Sequence, residues 1–292
     1  MRVTLLGTGC PIADTDRFGP AALVRSEVAN ILVDCGSGVT QRLLASDCPG
    51  RDIDALLLTH LHSDHLVDLY QLIVSSWHQG RARPQRIFGP PGTRTHVEGL
   101  MELWRKEREG RIAHEQRPDT AGLELEVEEI ADGQILEVGD VRVRVVEVNH
   151  KPVPYAFGFV FENGGARAVI SGDTTYCPEL IAAARDADLL VHEVFLHRDM
   201  PEIPGVRTRE GTDNVAGYHT LSSVVGRVAA ECNAACLILT HFVPTRFDRA
   251  ALLAEVRASY SGPLIIGEDL MTFNTTDRSL AHAGALLTLG TH

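Results

Sequence analysis

The chain has 292 residues, 44% hydrophobic and 23% charged, which is ordinary globular usage, so a large core is available and disorder is not expected. Its formal net charge of −12 argues against a broad nucleic-acid footprint, because phosphate binding draws on clustered Lys and Arg. No apolar run reaches the roughly 18 residues of a membrane span, and Met1-Arg2 passes straight into a strand-like run that Gly7 cuts short, too brief for a signal peptide, so a cytoplasmic protein is expected.

In chain order, Gly7-Thr8-Gly9-Cys10-Pro11 reads as a tight turn. It is not a dinucleotide fingerprint, since the third glycine is missing and Pro11 stands where a helix would open. Short apolar strands then recur, each running into a polar, potentially reactive residue. Asn30-Ile31-Leu32-Val33 ends in Asp34, and Ala55-Leu56-Leu57-Leu58-Thr59 ends in His60. The segment from Arg81 to Arg117 is net +4 against −16 for the remainder, and reads as a solvated helix face laced with ion pairs. Further on, the alternating Val141–Val148 leads to His150, 166–170 to Asp173, 188–191 to His192-Glu193, and 236–240 to His241. Helices are predicted over 65–78, 93–109, 177–186, 220–232 and 247–259. Continuous apolar strands suit burial on both faces, so strands and helices in this mixture predict a layered α/β fold with His and Asp along one rim. No linker or repeat divides the chain, which is read as one domain over 1–292. Six cysteines form no Cys-x-x-Cys pair and read as buried thiols.

The strongest signal is Thr59-His60-Leu61-His62-Ser63-Asp64-His65. Residues two apart in an extended segment point the same way, so His60 and His62 can reach one ion together. Ser63 is a plausible helix cap whose turn would swing Asp64 and His65 toward a second ion. His150, Asp173 and His241, each at a predicted strand end, are the candidates for the remaining ligands. Imidazoles and carboxylates without thiolates suit zinc best, with manganese, iron or cobalt also compatible.

These residues resemble the metallo-β-lactamase superfamily with its His-x-His-x-Asp-His motif, and most closely its ribonuclease Z and arylsulfatase-like branch. The resemblance runs from Leu6-Gly7-Thr8-Gly9-Cys10-Pro11 through Gly89-Pro90-Pro91-Gly92-Thr93 to Leu239-Thr240-His241. It implies a four-layer αββα sandwich. It also implies that His60, His62 and His150 hold one metal, that Asp64, His65 and His241 hold the other, and that Asp173 bridges them. Val191-His192-Glu193 and Tyr218-His219-Thr220 resemble the branch's His-Glu and His-Ser/Thr segments. By that likeness His219 acts as proton donor or oxyanion stabiliser, Glu193 orients it, and Asp64 relays a proton. Two such ions, about 3.5–4 Å apart, would activate water for attack on an ester.

One departure is visible. In ribonuclease Z a tRNA-gripping arm lies between the third histidine ligand and the bridging aspartate, whereas here only 23 positions separate His150 and Asp173. The longer insertion is a Pro/Gly-containing loop over 194–218, suited to a lid. The leading expectation is therefore a hydrolase of small-molecule esters: phosphodiester, sulfate ester or lactone. An RNA-processing nuclease of the ribonuclease Z kind is second, and a non-catalytic metal-binding scaffold third. A homodimer is left open.

Overall fold

A computed structural model describes residues 1–289. Among these, the first six strands are Arg2–Gly7 (β1), Ala21–Arg25 (β2), Asn30–Val33 (β3), Ala55–Leu57 (β4), Gln85–Gly89 (β5) and Leu125–Glu129 (β6). The next seven build a second sheet: Ile135–Val138 (β7), Val141–Val148 (β8), Ala156–Asn163 (β9), Ala166–Ile170 (β10), Leu189–Phe195 (β11), Leu237–Val243 (β12) and Leu264–Ile266 (β13). The chain then returns to the first sheet with Thr272–Asn274 (β14), Ser279–His282 (β15) and Ala285–Thr288 (β16), giving the order β16-β15-β14-β1-β2-β3-β4-β5-β6. The second sheet runs β13-β12-β11-β10-β9-β8-β7.

The sheets pack face to face because their inward residues are apolar on alternate positions. Val141, Val143 and Val145 of β8 and Phe157, Phe159 and Phe161 of β9 meet Val24, Ile31, Val33 and Leu57 in one cluster, while Arg142 and Arg144 point to solvent. Burying each large side chain contributes roughly 1.5–3 kcal/mol. The outer faces are apolar too and take helices. Val39–Ala45 (α1), Leu69–His78 (α2) and Thr93–Leu103 (α3) cover the first sheet through Val39, Leu43, Leu72, Ile73 and Val97. After Arg105–Glu115 (α4), the helices Pro178–Ala183 (α5), Ser222–Glu231 (α7, following Arg209–Ala216, α6) and Arg249–Arg257 (α8) cover the second through Leu180, Val225, Val228, Leu252 and Val256. The predicted αββα layering is the observed one.

Several expectations shift in detail. The helix expected over 93–109 breaks at Trp104, whose ring stacks on Tyr70 at 5.0 Å, and resumes as α4. No residue of α4 is buried, and its arginines pair along the helix, Arg105 with Glu102 and Glu109, Arg111 with Glu107 and Glu115. Over α4 the basic segment is the solvated, ion-paired face expected, whereas Arg81 at its start is buried and donates to the carbonyls of Arg51, Ile53, Arg83 and Pro84. The helix expected from 65 begins only at Leu69, and Ser63 caps nothing, because 63–65 forms a single 3₁₀ turn held by the Cys35 amide donating to the His65 carbonyl at 2.7 Å. The 194–218 loop contains α6, whose first turn is capped by the Thr208 hydroxyl accepting from the Gly211 amide. All six cysteines are free and buried. The turn after β1 needs its glycine: a Cβ on Gly7 would lie 1.9 Å from the Gly19 carbonyl oxygen. No helix among the described residues is long and apolar enough to cross a membrane.

Candidate metal centre

β3, β4 and β5 pair in parallel, as do β10, β11 and β12, so their C-terminal ends share one edge of the sandwich. The two sheets are tied there by the Phe157 amide donating to the Thr59 carbonyl at 2.9 Å and the Phe242 amide to the Thr8 carbonyl at 3.0 Å. Asp34, His60, Asp173, Glu193 and His241 all come from strands that reach this edge. Two of the strands run further than predicted. β11 continues through His192 and Glu193 because it stays paired with β12, and strand alternation turns Glu193 into the site. Buried His192 instead bonds through Nδ1 to the Glu193 carbonyl oxygen.

His241 is the extra residue of a β-bulge. Thr240 pairs with Glu193 and Phe242 with Val194, leaving His241 unpaired at φ 46°. Asp34 also sits in the left-handed region, at φ 60°. That conformation costs a non-glycine residue about 1–2 kcal/mol, and here it aims two functional side chains at the cluster.

Asp173 is the hub. Its Oδ2 lies 3.9 Å from His60 Nε2, 3.4 Å from His65 Nε2, 4.0 Å from His150 Nε2 and 3.3 Å from His241 Nε2. His62 Nδ1 is 3.4 Å from His150 Nε2, and Asp64 Oδ2 is 3.4 Å from His241 Nε2 and 3.6 Å from His65 Nε2. Ligand atoms of His60, His62, His150 and Asp173 lie within 4.8 Å of one another, and so do those of Asp64, His65 and His241. The structure brings all seven residues together. Asp173 closes the gap between the two sets, and the cluster suggests a dinuclear metal site.

The donor set fits metal ions on two grounds. Two ligands each about 2.1 Å from a tetrahedral ion stand about 3.4 Å apart, the spacing seen here. Second, the buried Nε2 atoms of His60 and His65 have no hydrogen-bond partner, although their Nδ1 atoms do. Nδ1 of His65 bonds to Asp34 Oδ2 at 2.8 Å, and Nδ1 of His150 to the Tyr218 carbonyl at 2.8 Å. The Thr59 hydroxyl donates to Asp34 at 2.9 Å, which frees its lone pair for Nδ1–H of His60 at 3.0 Å. Each of these three imidazoles therefore carries a proton on the outer nitrogen and turns Nε2 inward, the atom that would ligate an ion. Asp34 and Thr59, which hold His65 and His60 by hydrogen bonds, are the residues of this cluster that sequence reasoning did not assign. The signal was present, since each follows an apolar strand, but only the parallel pairing of β3 with β4 sets them side by side.

Electrostatics favour the neutral form at His60 and His150 and the charged form at His65. Burial pushes the His60 and His150 imidazoles down, His60 furthest, and so favours their neutral, lone-pair form. Burial alone would raise Asp173, but the His241 and His65 imidazoles hold its carboxyl well below the usual carboxylate range. Burial alone would lower His65 as well, but the Asp173 and Asp34 carboxylates raise it well above the usual imidazole range. A cation entering the cluster would displace its Nε2 proton and take over the pairing with the carboxylates.

Beside the cluster stands a second arrangement. His219 Nδ1 meets Glu193 Oε1 at 2.9 Å, and the same oxygen accepts from the amides of Thr174 and Thr220, both at 3.1 Å. His219 also groups within 4.8 Å of the ligand atoms of Asp173 and His241. Burial opposes its protonation, but the Glu193 carboxylate outweighs burial and lifts the imidazole pKa to about 9. A cavity of about 280 Å³ opens next to Asp64, lined by Cys10, Ile12, Phe18, Ser63 and Val67 among others.

The model of the Beta-lactamase superfamily domain matches residues 29–242, so the chain belongs to that superfamily, and it is a metal-dependent hydrolase. Among curated relatives it is similar to "Ribonuclease Z" of Mycolicibacterium gilvum, 40% identical over 278 residues, 92% of this chain and 94% of the relative. Among solved structures it resembles the metallo-β-lactamase fold protein YhfI from Bacillus subtilis, with a TM-score of 0.74 and 22% identity over 94% of this chain and 99% of that one. Human tRNase Z, short form, has a TM-score of 0.69 at 24% identity, again over 94% and 99%.

Proposed function

We propose that this chain is a ribonuclease Z-like endonuclease that hydrolyses a phosphodiester bond near RNA 3′ ends with two zinc ions. The observation that carries the reading is the His219–Glu193 pair set against the metal cluster, in a chain matched along 92% of its length by a ribonuclease Z. This reverses the order expected from sequence, because curated relatives at 36% and 40% identity over nearly the whole chain are ribonuclease Z proteins. The missing arm no longer counts against RNA: the match spans 94% of the relative, so a ribonuclease Z of this size has no long insertion that this chain lacks.

In this reading His60, His62 and His150 hold one ion and Asp64, His65 and His241 the other, with Asp173 shared. When bound, the ions polarise a phosphoryl oxygen and bring the pKa of water to roughly 7. Asp64 accepts a proton from the attacking water. His219, oriented by Glu193 through Nδ1, donates from Nε2 to the departing oxygen. Asp34 keeps His65 in the tautomer that presents Nε2.

Metal-loaded protein is the test, offered a precursor tRNA, an aryl phosphodiester, an aryl sulfate and a lactone. Cleavage of the precursor with a kcat/KM far above that for the others is expected, with two zinc ions per chain by elemental analysis; turnover of the lactone or sulfate alone would refute the reading. Asp34→Asn is expected to weaken metal binding by about 10–100-fold in chelator competition. Unchanged metal retention would reduce Asp34 to a fold clasp.

A further inference from the structure

Tyr218 sits on the rim of this site without a role in the chemistry above. Its backbone is pinned. The amide donates to the Val215 carbonyl at 3.2 Å, and the carbonyl accepts from His150 Nδ1 at 2.8 Å. Two residues on, Thr220 is tied to β11 by the Phe195 amide donating to its carbonyl at 2.8 Å, and by its own amide to Glu193. The side chain is thereby held over the centre. Its ring lies 5.0 Å from the His150 ring at 85°, and 4.8 Å from the His219 ring at 46°. It is only half-buried, so part of the aromatic surface stays open to solvent beside the cluster. The orienting of His150 is done by the main chain, and truncating the side chain leaves that hydrogen bond in place. What the ring adds is an apolar, quadrupolar face beside the proton donor and one of the metal-facing imidazoles.

We propose that Tyr218 is the stacking surface for the nucleobase of one of the two nucleotides flanking the scissile phosphate. Its ring contacts with His150 and His219 place that base beside the leaving oxygen. The inference rests on the RNA reading and deepens it. Aromatic faces bind bases without reading their sequence, because every base has a π-face. Tyr218 thus acts as a binding residue that sets the register of the strand, while His219 handles the proton.

The test uses the full metal-loaded chain as wild type, Tyr218→Phe and Tyr218→Ala, with precursor RNA carrying an abasic site at either flanking position. Binding of a cleavage-resistant RNA with 2-aminopurine at the same positions supplies a second readout. Wild type and Tyr218→Phe are expected to quench 2-aminopurine at one position, and Tyr218→Ala to lose the quenching. KM for intact RNA should rise by roughly 5- to 150-fold in Tyr218→Ala, with kcat within a few-fold and metal content unchanged. The abasic substrate should impose a similar loss on wild type and no further loss on Tyr218→Ala. Equal penalties on intact and abasic RNA, or a fall in metal content, would make Tyr218 a structural residue and overturn the proposal. A wild-type protein that cleaves other esters but no RNA fails differently, removing the RNA reading and this inference with it.

Discussion

Asp173→Ala is expected to abolish hydrolysis and to strip metal from the protein. The reason is positional. One carboxylate oxygen lies within 4.0 Å of four imidazole nitrogens drawn from both halves of the cluster. Without it, the His60, His62 and His150 set has no anion, and the Asp64, His65 and His241 set loses its link to the first. Neutral imidazoles alone bind a divalent ion less tightly than a set containing a carboxylate, and ions that no longer share a ligand lose their fixed separation. Elemental analysis and turnover on the best substrate are the measurements. Asp173→Asn, which keeps the shape but not the charge, should lose metal while retaining a cooperative melt, so that misfolding is told apart from ligand loss. His78→Ala serves as the comparison, since His78 Nδ1 bonds to Arg117 at 2.9 Å on the far end of α2. It should keep metal and rate. Full metal and full rate in Asp173→Ala would refute the ligand assignment.

His219→Ala is expected to lower kcat by about 10²–10³ with normal metal content, because a proton donor or oxyanion partner acts mainly in the transition state. The structure sharpens the partner experiment. Glu193 Oε1 serves His219 and two backbone amides at once, so Glu193→Ala would leave the Thr174 and Thr220 amides without an acceptor. Glu193→Gln keeps an oxygen for those amides and removes the charge that holds the imidazole. It should cost less than His219→Ala, and the double variant should be little worse than His219→Ala alone. Single-turnover kinetics on RNA decide it. A His219→Ala enzyme at wild-type rate would assign the leaving group to another side chain, and strictly additive losses would deny the pairing.

Much of this protein is local and therefore written in its sequence. Four ligand-type residues within 60–65, directly after a buried strand, state a metal site without help from distant residues. Apolar runs ending in His150, Asp173 and His241 state which elements deliver the rest. Alternation in Val141–Val148 states which face is core. What only the tertiary structure decided depends on pairing between strands far apart in the chain. The β11–β12 register makes His241 a bulge residue rather than a strand end, and strand alternation sends Glu193 inward and His192 away. Parallel pairing of β3 with β4 sets Asp34 against Thr59 and behind His65, a clasp invisible in either segment alone. The fold of 208–218 onto β11 puts a carbonyl behind His150 and an aromatic ring in front of it. Periodicity records which way a side chain faces within its own element, while the partner it meets is set by a register and by left-handed residues that no local pattern encodes.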